Sequence, residues 1–343
     1  MSSLDMPALR DYNQPMDYKG VIRDAWHLTQ KNKPLMWWYA FTPEFIGLLV
    51  GIFYLMYQVL SFWKSPVFHA YEGDSFSHDV ISFAGEFLSK QTSLGIVLII
   101  VAAIVILLYF TLPIFCKAAL VQLIARKRNG QDVKTVEGVS FGFLHFLPLF
   151  EYRLLLRTFS LFGLVTEASF VIRNLGTGAF GILFIPFTLM FFIGLALLLL
   201  FTYSEYFIII DGKRMMPAMG ASAKLVIRHW QHTFLMFILM LLITLRIFLN
   251  IILVLLIPSL IIISTGVLAS FALAKVGLVI GVIVGVIGMY FAAYLGGVLE
   301  VFTSSVWVFT FLELTSKEEV SARKPGEEAP EWVSGSTPIG SVE

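Results

Sequence analysis

The sequence predicts an all-α fold: a polytopic membrane bundle of six transmembrane helices, with interfacial lead-in helices on the cytoplasmic side. Hydrophobic residues make up 58% of the chain and charged residues only 14%, which lies outside the range of soluble domains. Six apolar stretches each reach the length of roughly 20 residues that a helix needs to cross a bilayer. The segments between these stretches are alternately rich and poor in Lys and Arg. Together, these observations indicate a multi-pass protein of the cell (cytoplasmic) membrane.

The six predicted spans are residues 35–62, 93–124, 141–166, 180–210, 232–263 and 276–314. Glu151, Arg153 and Arg157 interrupt the third span, so an interfacial helix there and five spans in total form the alternative. The basic residues argue for six, because 16 Lys and Arg lie on the side of the N-terminus and 4 on the opposite side. Short basic loops stay in the cytoplasm, so we expect both termini to be cytoplasmic.

The predicted organisation has three parts. Residues 1–34 form a cytoplasmic segment with an amphipathic helix, and residues 35–315 form the six-helix transmembrane domain. Residues 316–343 are rich in Glu, Pro, Ser and Gly, which predicts a disordered cytoplasmic tail. The outer loop has room for a short amphipathic helix at about residues 79–89. Because the polar N-terminus lacks a short apolar region with a cleavage site, we expect no removable signal peptide.

Segments rich in basic and aromatic residues precede three of the spans. They begin at Val21, Val133 and Val226, before the first, third and fifth spans respectively. Such segments are typical of helices that lie along a membrane interface. The pattern favours three repeated units, each with a lead-in helix, an outward span and an inward span. Chance similarity between interfacial segments remains the alternative.

The same segments carry a family resemblance. The stretch from Ala25 through Trp26 to Trp38, and the stretch from Tyr206 to Asp211 with Trp230, resemble the helix entrances of a loose bacterial group of six-helix membrane proteins. That group includes the membrane domain of some glycerophosphoryl diester phosphodiesterases and related domains of unknown function. The resemblance implies a six-helix bundle and no catalytic residues. The soluble phosphodiesterase portion of the fused members has no counterpart in this sequence, so we expect no such activity.

Ionisable side chains inside the predicted spans are the main candidate site. There are eight: Glu44, Lys117, Glu151, Arg153, Arg157, Glu205, Arg246 and Glu300. An unpaired charge at mid-bilayer costs at least about 2.5–3.5 kcal/mol. Pairing inside the bundle is therefore expected, either as structural locks or around a polar cavity open to the cytoplasm. We predict that Arg246 and Glu300, on consecutive spans, face the interior and are candidates for one another's partner.

The last span contains a ridge of small residues. Its glycines follow one another at intervals of three, four or eight: Gly277, Gly281, Gly285, Gly288 and Gly296. Small residues at such spacing let a second helix approach closely. At 39 residues, this span exceeds the hydrocarbon thickness, so we predict either a bend at Gly296-Gly297 or a cytoplasmic extension.

Several functional classes receive no support from the sequence. The net charge of +1 gives no reason to expect nucleic acid as a partner, and we expect no cofactor. His229 and His232 lack the additional ligands of a metal site. The leading hypothesis is a non-enzymatic scaffold, assembly or lipid-organising protein whose partners are membrane lipids and other membrane proteins. The alternative is a small transporter or channel using Arg246, Glu300, Arg153 and Glu151; a membrane-embedded lipid enzyme comes third.

The topology is testable by cysteine labelling. Once Cys116 is replaced, a cysteine introduced at Ser75 should react with an impermeant thiol reagent in intact cells, because residues 63–92 are predicted to lie outside. A cysteine at Ser334 in the tail should react only after the membrane is opened. Labelling of the tail from outside would refute the six-span topology.

Overall fold

The computed structural model describes residues 17–63, 76–246 and 274–322, together with the isolated residues 249 and 252. Every regular element in these ranges is helical. In chain order the helices are α1 (Tyr18–Lys31), α2 (Lys33–Trp63), α3 (Phe76–Lys90), α4 (Thr92–Arg128), α5 (Gly138–Thr158), α6 (Leu161–Leu200), α7 (Ser204–Ile209), α8 (Met215–Arg228), α9 (Trp230–Arg246) and α10 (Ala274–Ala322).

Five of these helices are long and apolar enough to cross a membrane, and a sixth span results if α8 and α9 are taken together. These two helices meet at a bend of 96°. The predicted fold class, a helical membrane bundle, is therefore confirmed. Helix α9 covers the first part of the predicted fifth span, and most of residues 247–263 lie outside the described residues.

The region of the third and fourth spans differs from the prediction. Helix α5 ends at Thr158, and Ser160 starts α6 by accepting a hydrogen bond from the Gly163 amide at 3.0 Å. The predicted loop at residues 167–179 is helical, and the chain changes direction instead at Gly176, which has φ 83° and ψ 171°. Glycine adopts this conformation without steric cost. Helix α7, predicted as the end of the fourth span, is a separate short helix.

Of the three predicted lead-in segments, the first coincides with a helix, α1, which has 14 residues. The segment that begins at Val226 covers the last residues of α8, the bend and the start of α9, and is not a separate helix. The middle lead-in is wrong as a helix prediction, because it contains only the 3₁₀ turn Thr135–Glu137. The chain between the end of α4 and Gly138 is too short for more. The amphipathic helix predicted in the outer loop is present as α3.

Burial divides the molecule into a packed zone and an exposed zone. The packed zone has at its centre ten consecutive buried residues of α4, 116–125, which are surrounded by α2, α5, α7 and the second half of α10. The exposed zone includes the first half of α4, where residues 96–101 are each about half exposed. Six consecutive helical residues point to every side of a helix, so this half of α4 is open to its surroundings on all sides.

Helix α10 runs without interruption through Gly296-Gly297, so of the two predicted alternatives the bend is absent and the helix is instead extended beyond residue 314. The two glycines instead allow α2 to pack closely. A Cβ atom on Gly297 would lie 3.1 Å from the backbone nitrogen of Phe41, and one on Gly296 would lie 3.1 Å from Glu44 Oε2. The excess length extends the helix to Ala322. The first residues of the predicted tail are therefore helical, and residues 323–343 lie outside the described part of the chain.

The glycine ridge is only partly a packing surface. Gly285 is exposed, with no atom within 4 Å of the position its Cβ would take, and Gly288 is half-buried. The surroundings of Gly277 and Gly281 lie outside the described part of the structure. Close helix contact is thus concentrated at the C-terminal end of the ridge, next to Glu300.

The contact at Gly297 predicts a large difference between two glycines of one helix. Gly297→Leu should destabilise the protein by about 1–3 kcal/mol, because the new side chain would push against the backbone of α2. Gly285→Leu is the matched control, since its side chain would enter open space. Thermal unfolding of both variants in detergent measures the difference. Equal melting temperatures would show that α2 and α10 do not pack as described.

Candidate functional site

A network of charged side chains surrounds Lys117, the second residue of the buried segment of α4. The Lys117 side chain is 10% exposed. Its ammonium group donates hydrogen bonds to Glu300 Oε1 and to Ser304 Oγ, both at 2.8 Å. Ser304 lies one turn after Glu300 on α10 and donates to the same carboxylate oxygen at 3.2 Å. The Lys117 charge is therefore compensated and hydrogen-bonded inside the protein.

Glu205 extends the network to a second cation. Its two carboxylate oxygens lie 3.8 Å from Lys117 Nζ and 3.5 Å from Arg153 Nη2. Helix α7 holds Glu205 in place, because its flanking residues are buried and the Tyr203 amide donates to Ser222 Oγ at 3.1 Å. Helix α5 is fixed nearby, where the Tyr152 hydroxyl donates to the Phe201 carbonyl oxygen at 2.8 Å.

Glu44 is the third carboxylate of the network. It lies on α2 against Gly296 and interacts electrostatically with Glu300 and Lys117. Within the described ranges it forms no ion pair shorter than 4 Å. With three carboxylates and two cations, the network carries a formal charge of −1 when all its groups are ionised. It joins α2, α4, α5, α7 and α10.

The structure brings together five of the eight predicted charges. The other three, Glu151, Arg157 and Arg246, have exposed side chains and do not face the interior. The guanidinium of Arg157 lies 4.7 Å from the centre of the Phe110 ring. The predicted pairing of Arg246 with Glu300 is wrong, because α4 packs against α10 and supplies Lys117 at the level of the carboxylate.

Sequence reasoning missed one member of the network, Ser304 as a hydrogen-bonding partner. The available signal was its spacing, because residues four apart on a helix lie side by side. The sequence shows that Ser304 follows Glu300 by four residues but provides no reason to assign it a polar partner. Its hydroxyl is fully buried and accepts a hydrogen bond from Lys117.

The network lies where the packed zone meets the exposed zone. On α4, the exposed apolar residues end at Phe110, and the continuous buried segment begins at Cys116. In the described ranges, no group of three or more His, Cys, Asp or Glu side chains is arranged to hold a metal ion. Ion pairs therefore connect α4, α5, α7 and α10, and Glu44 of α2 lies beside them as an additional carboxylate without an ion pair among the described residues.

Comparison with protein-family models, with curated proteins and with solved structures gives no match in any of the three. The class of protein rests on the fold itself: a multi-pass helical membrane protein with a charge network at one level of the bundle.

The network predicts a stability pattern for single and double variants. Lys117→Met should destabilise the protein by about 3–5 kcal/mol, because it leaves the Glu300 carboxylate uncompensated in a packed site. Lys117→Met combined with Glu300→Leu should recover much of the loss, since Glu205 retains Arg153. Denaturation in detergent measures both effects.

The matched control is Arg246→Met, which removes an exposed cation and should change stability by less than about 0.5 kcal/mol. Strictly additive effects of the Lys117 and Glu300 changes would contradict direct pairing.

Proposed function

We propose that this chain is a non-enzymatic membrane scaffold that organises lipids or other membrane proteins around a rigid helical core. The observation that carries the proposal is the pairing of Lys117, whose ammonium group contacts Glu300, Ser304 and Glu205. A buried charge that is already satisfied by the protein is a structural lock rather than a site waiting for a ligand.

The exposed zone supports the same proposal. Large apolar side chains of α2, α4 and α6 remain uncovered, among them Phe53, Leu107 and Ile185. Uncovered apolar surface of this extent needs lipid chains or other membrane helices against it. We further propose that the membrane is the cell membrane, with the packed zone towards the cytoplasm, because that orientation places the basic segments inside.

A transporter or channel is the second candidate, and Glu44 is the observation that favours it. Among the described residues this carboxylate has no cation within 4 Å. The side chains of Arg153 and Glu300 are each about one-third exposed, at 34% and 33%. Both features are compatible with water or an ion reaching the edge of the network. The two candidates differ in whether water reaches the inner side of the network.

Thiol accessibility at Ser304 separates the candidates. In a protein whose Cys116 has been replaced, Ser304→Cys should not react with a membrane-impermeant reagent in either right-side-out or inside-out vesicles, because Ser304 is fully buried. Ser316→Cys, on the exposed side of the same helix, is the matched control and should react in one vesicle orientation.

Rapid labelling at Ser304 would contradict the scaffold and indicate an aqueous path. The same conclusion would follow if proteoliposomes containing the protein conducted protons or cations faster than empty liposomes, and if Glu44→Gln abolished that conduction. Conduction equal to that of empty liposomes supports the scaffold.

A further inference from the structure

A groove with basic walls lies at one end of the packed zone, away from the charge network. It is formed by one face of α1, the end of α4 and the second half of α10, and encloses about 310 Å³. This volume is at the small end of the range of ligand pockets. Its floor is apolar and includes Val21 and Phe309, whereas its rim carries Lys31, Lys127 and Arg128. An apolar floor below a basic rim suits an amphipathic anion.

The three cations are positioned by the fold. The guanidinium of Arg128 lies 4.3 Å from the centre of the Phe309 ring, and a stacked guanidinium keeps its N–H groups in a plane that suits phosphate. Lys127 donates one hydrogen bond to the Asn32 side chain, and an ammonium group has three donors. Asn32 is itself held by a hydrogen bond from its amide group to the Leu28 carbonyl oxygen at 3.0 Å.

The charge balance of the groove is positive. Its one carboxylate, Asp24, lies 3.7 Å from Arg23, a cation next to it on α1. Against this carboxylate stand Lys31 and Lys127, which form no ion pair among the described residues, and Arg128, whose guanidinium also packs on the Phe309 ring. The end of α4 and the start of α2 are ends of apolar helices, so the groove lies at the level where a lipid headgroup meets the protein. Exposed tryptophans close by, Trp26 and Trp37, are typical of that level.

We propose that this groove binds the phosphate group of an anionic phospholipid, with Lys31, Lys127 and Arg128 contacting the phosphate and Phe309 and Val21 beneath the glycerol region. Basic pockets between transmembrane helices on the cytoplasmic side are suited to such headgroups. The inference names a lipid partner for the proposed scaffold and so rests on that proposal. Its test measures lipid binding alone and does not depend on the interior of the bundle.

Basic residues at helix C-termini also have a purely structural role, because they interact favourably with the helix dipole. Both Lys31 and Arg128 lie in the last turn of their helices. An interaction with the helix dipole stabilises the protein to the same extent whichever lipid is present. A phosphate site binds anionic lipid in preference to zwitterionic lipid, and this difference is what the experiment measures.

The experiment uses the full chain, freed of lipid in detergent and titrated with phosphatidylglycerol or phosphatidylcholine, with bound lipid counted by native mass spectrometry. Wild-type protein should retain one phosphatidylglycerol in preference to phosphatidylcholine. Lys31→Gln with Arg128→Gln, both exposed side chains, should weaken that binding about thirtyfold, the expected effect of removing two charges near an anionic headgroup. Arg128→Lys keeps the charge and should lose affinity only a few-fold.

The matched control is Arg214→Gln with Lys224→Gln, two exposed cations outside the groove, which should bind like wild type. Equal loss in both double variants, or wild-type binding in the Lys31–Arg128 variant, would overturn the groove as a site. Displacement of the lipid by millimolar inorganic phosphate would overturn the lipid as its ligand and assign the groove to a free anion. If the interior of the bundle is aqueous but the lipid site is intact, labelling at Ser304 contradicts the scaffold while the lipid-binding results stay as expected.

Discussion

The ammonium group of Lys117 is the charge on which the packing of this bundle depends. It is almost fully enclosed, and an enclosed charge is tolerated only when paired and hydrogen-bonded. Glu300, Ser304 and Glu205 meet that requirement from two other helices. Arg153 adds a further helix through its ion pair with Glu205, so the charges connected to this one buried cation link four helices. Glu44 lies next to them on a fifth helix. The close approach of α2 at Gly296 and Gly297 brings Glu44 within reach of this group.

The network and the groove make different physical demands on their charges. In the network, Lys117, Arg153, Glu205 and Glu300 lie within 4 Å of an opposite charge, so the protein provides their partners; Glu44 is the exception. In the groove, cations outnumber carboxylates and lie on an open rim. The first arrangement holds helices together, whereas the second is the site that we propose for an anion. A scaffold that also holds a particular lipid uses both.

The helical membrane fold could be predicted from the sequence because span length and apolarity are local properties. Five members of the charge network were also identifiable, since any ionisable residue in an apolar span needs an explanation. The partners could not be derived, because pairing depends on which faces two distant helices turn to each other. Arg246 was matched to Glu300 by chain order, yet Lys117, 183 residues from Glu300, forms the salt bridge.

The glycines illustrate the same limit. Sequence alone shows that Gly296-Gly297 lacks side chains, a property that permits a bend and equally permits close packing. The choice depends on whether another helix lies there, and the Phe41 backbone does. The break at Gly176 could not be predicted, because many glycines of this sequence lie inside helices and nothing in the sequence distinguishes Gly176 from them. Its positive φ is a conformation that glycine adopts easily.

The separation of Lys117 from Glu300 along the chain has a consequence for biosynthesis. At a translation rate of roughly 5–20 residues per second, the 183 residues between them take about 10–40 s to synthesise. Glu205 is also made after Lys117, so neither ion-pair partner of the ammonium group exists when α4 enters the membrane. Of the network carboxylates only Glu44, which forms no ion pair with Lys117, has been synthesised by then. During that interval the ammonium group must remain in water or among headgroups. A lysine located after the apolar half of α4 can do so while that half is already inserted, and the bundle then closes around it last.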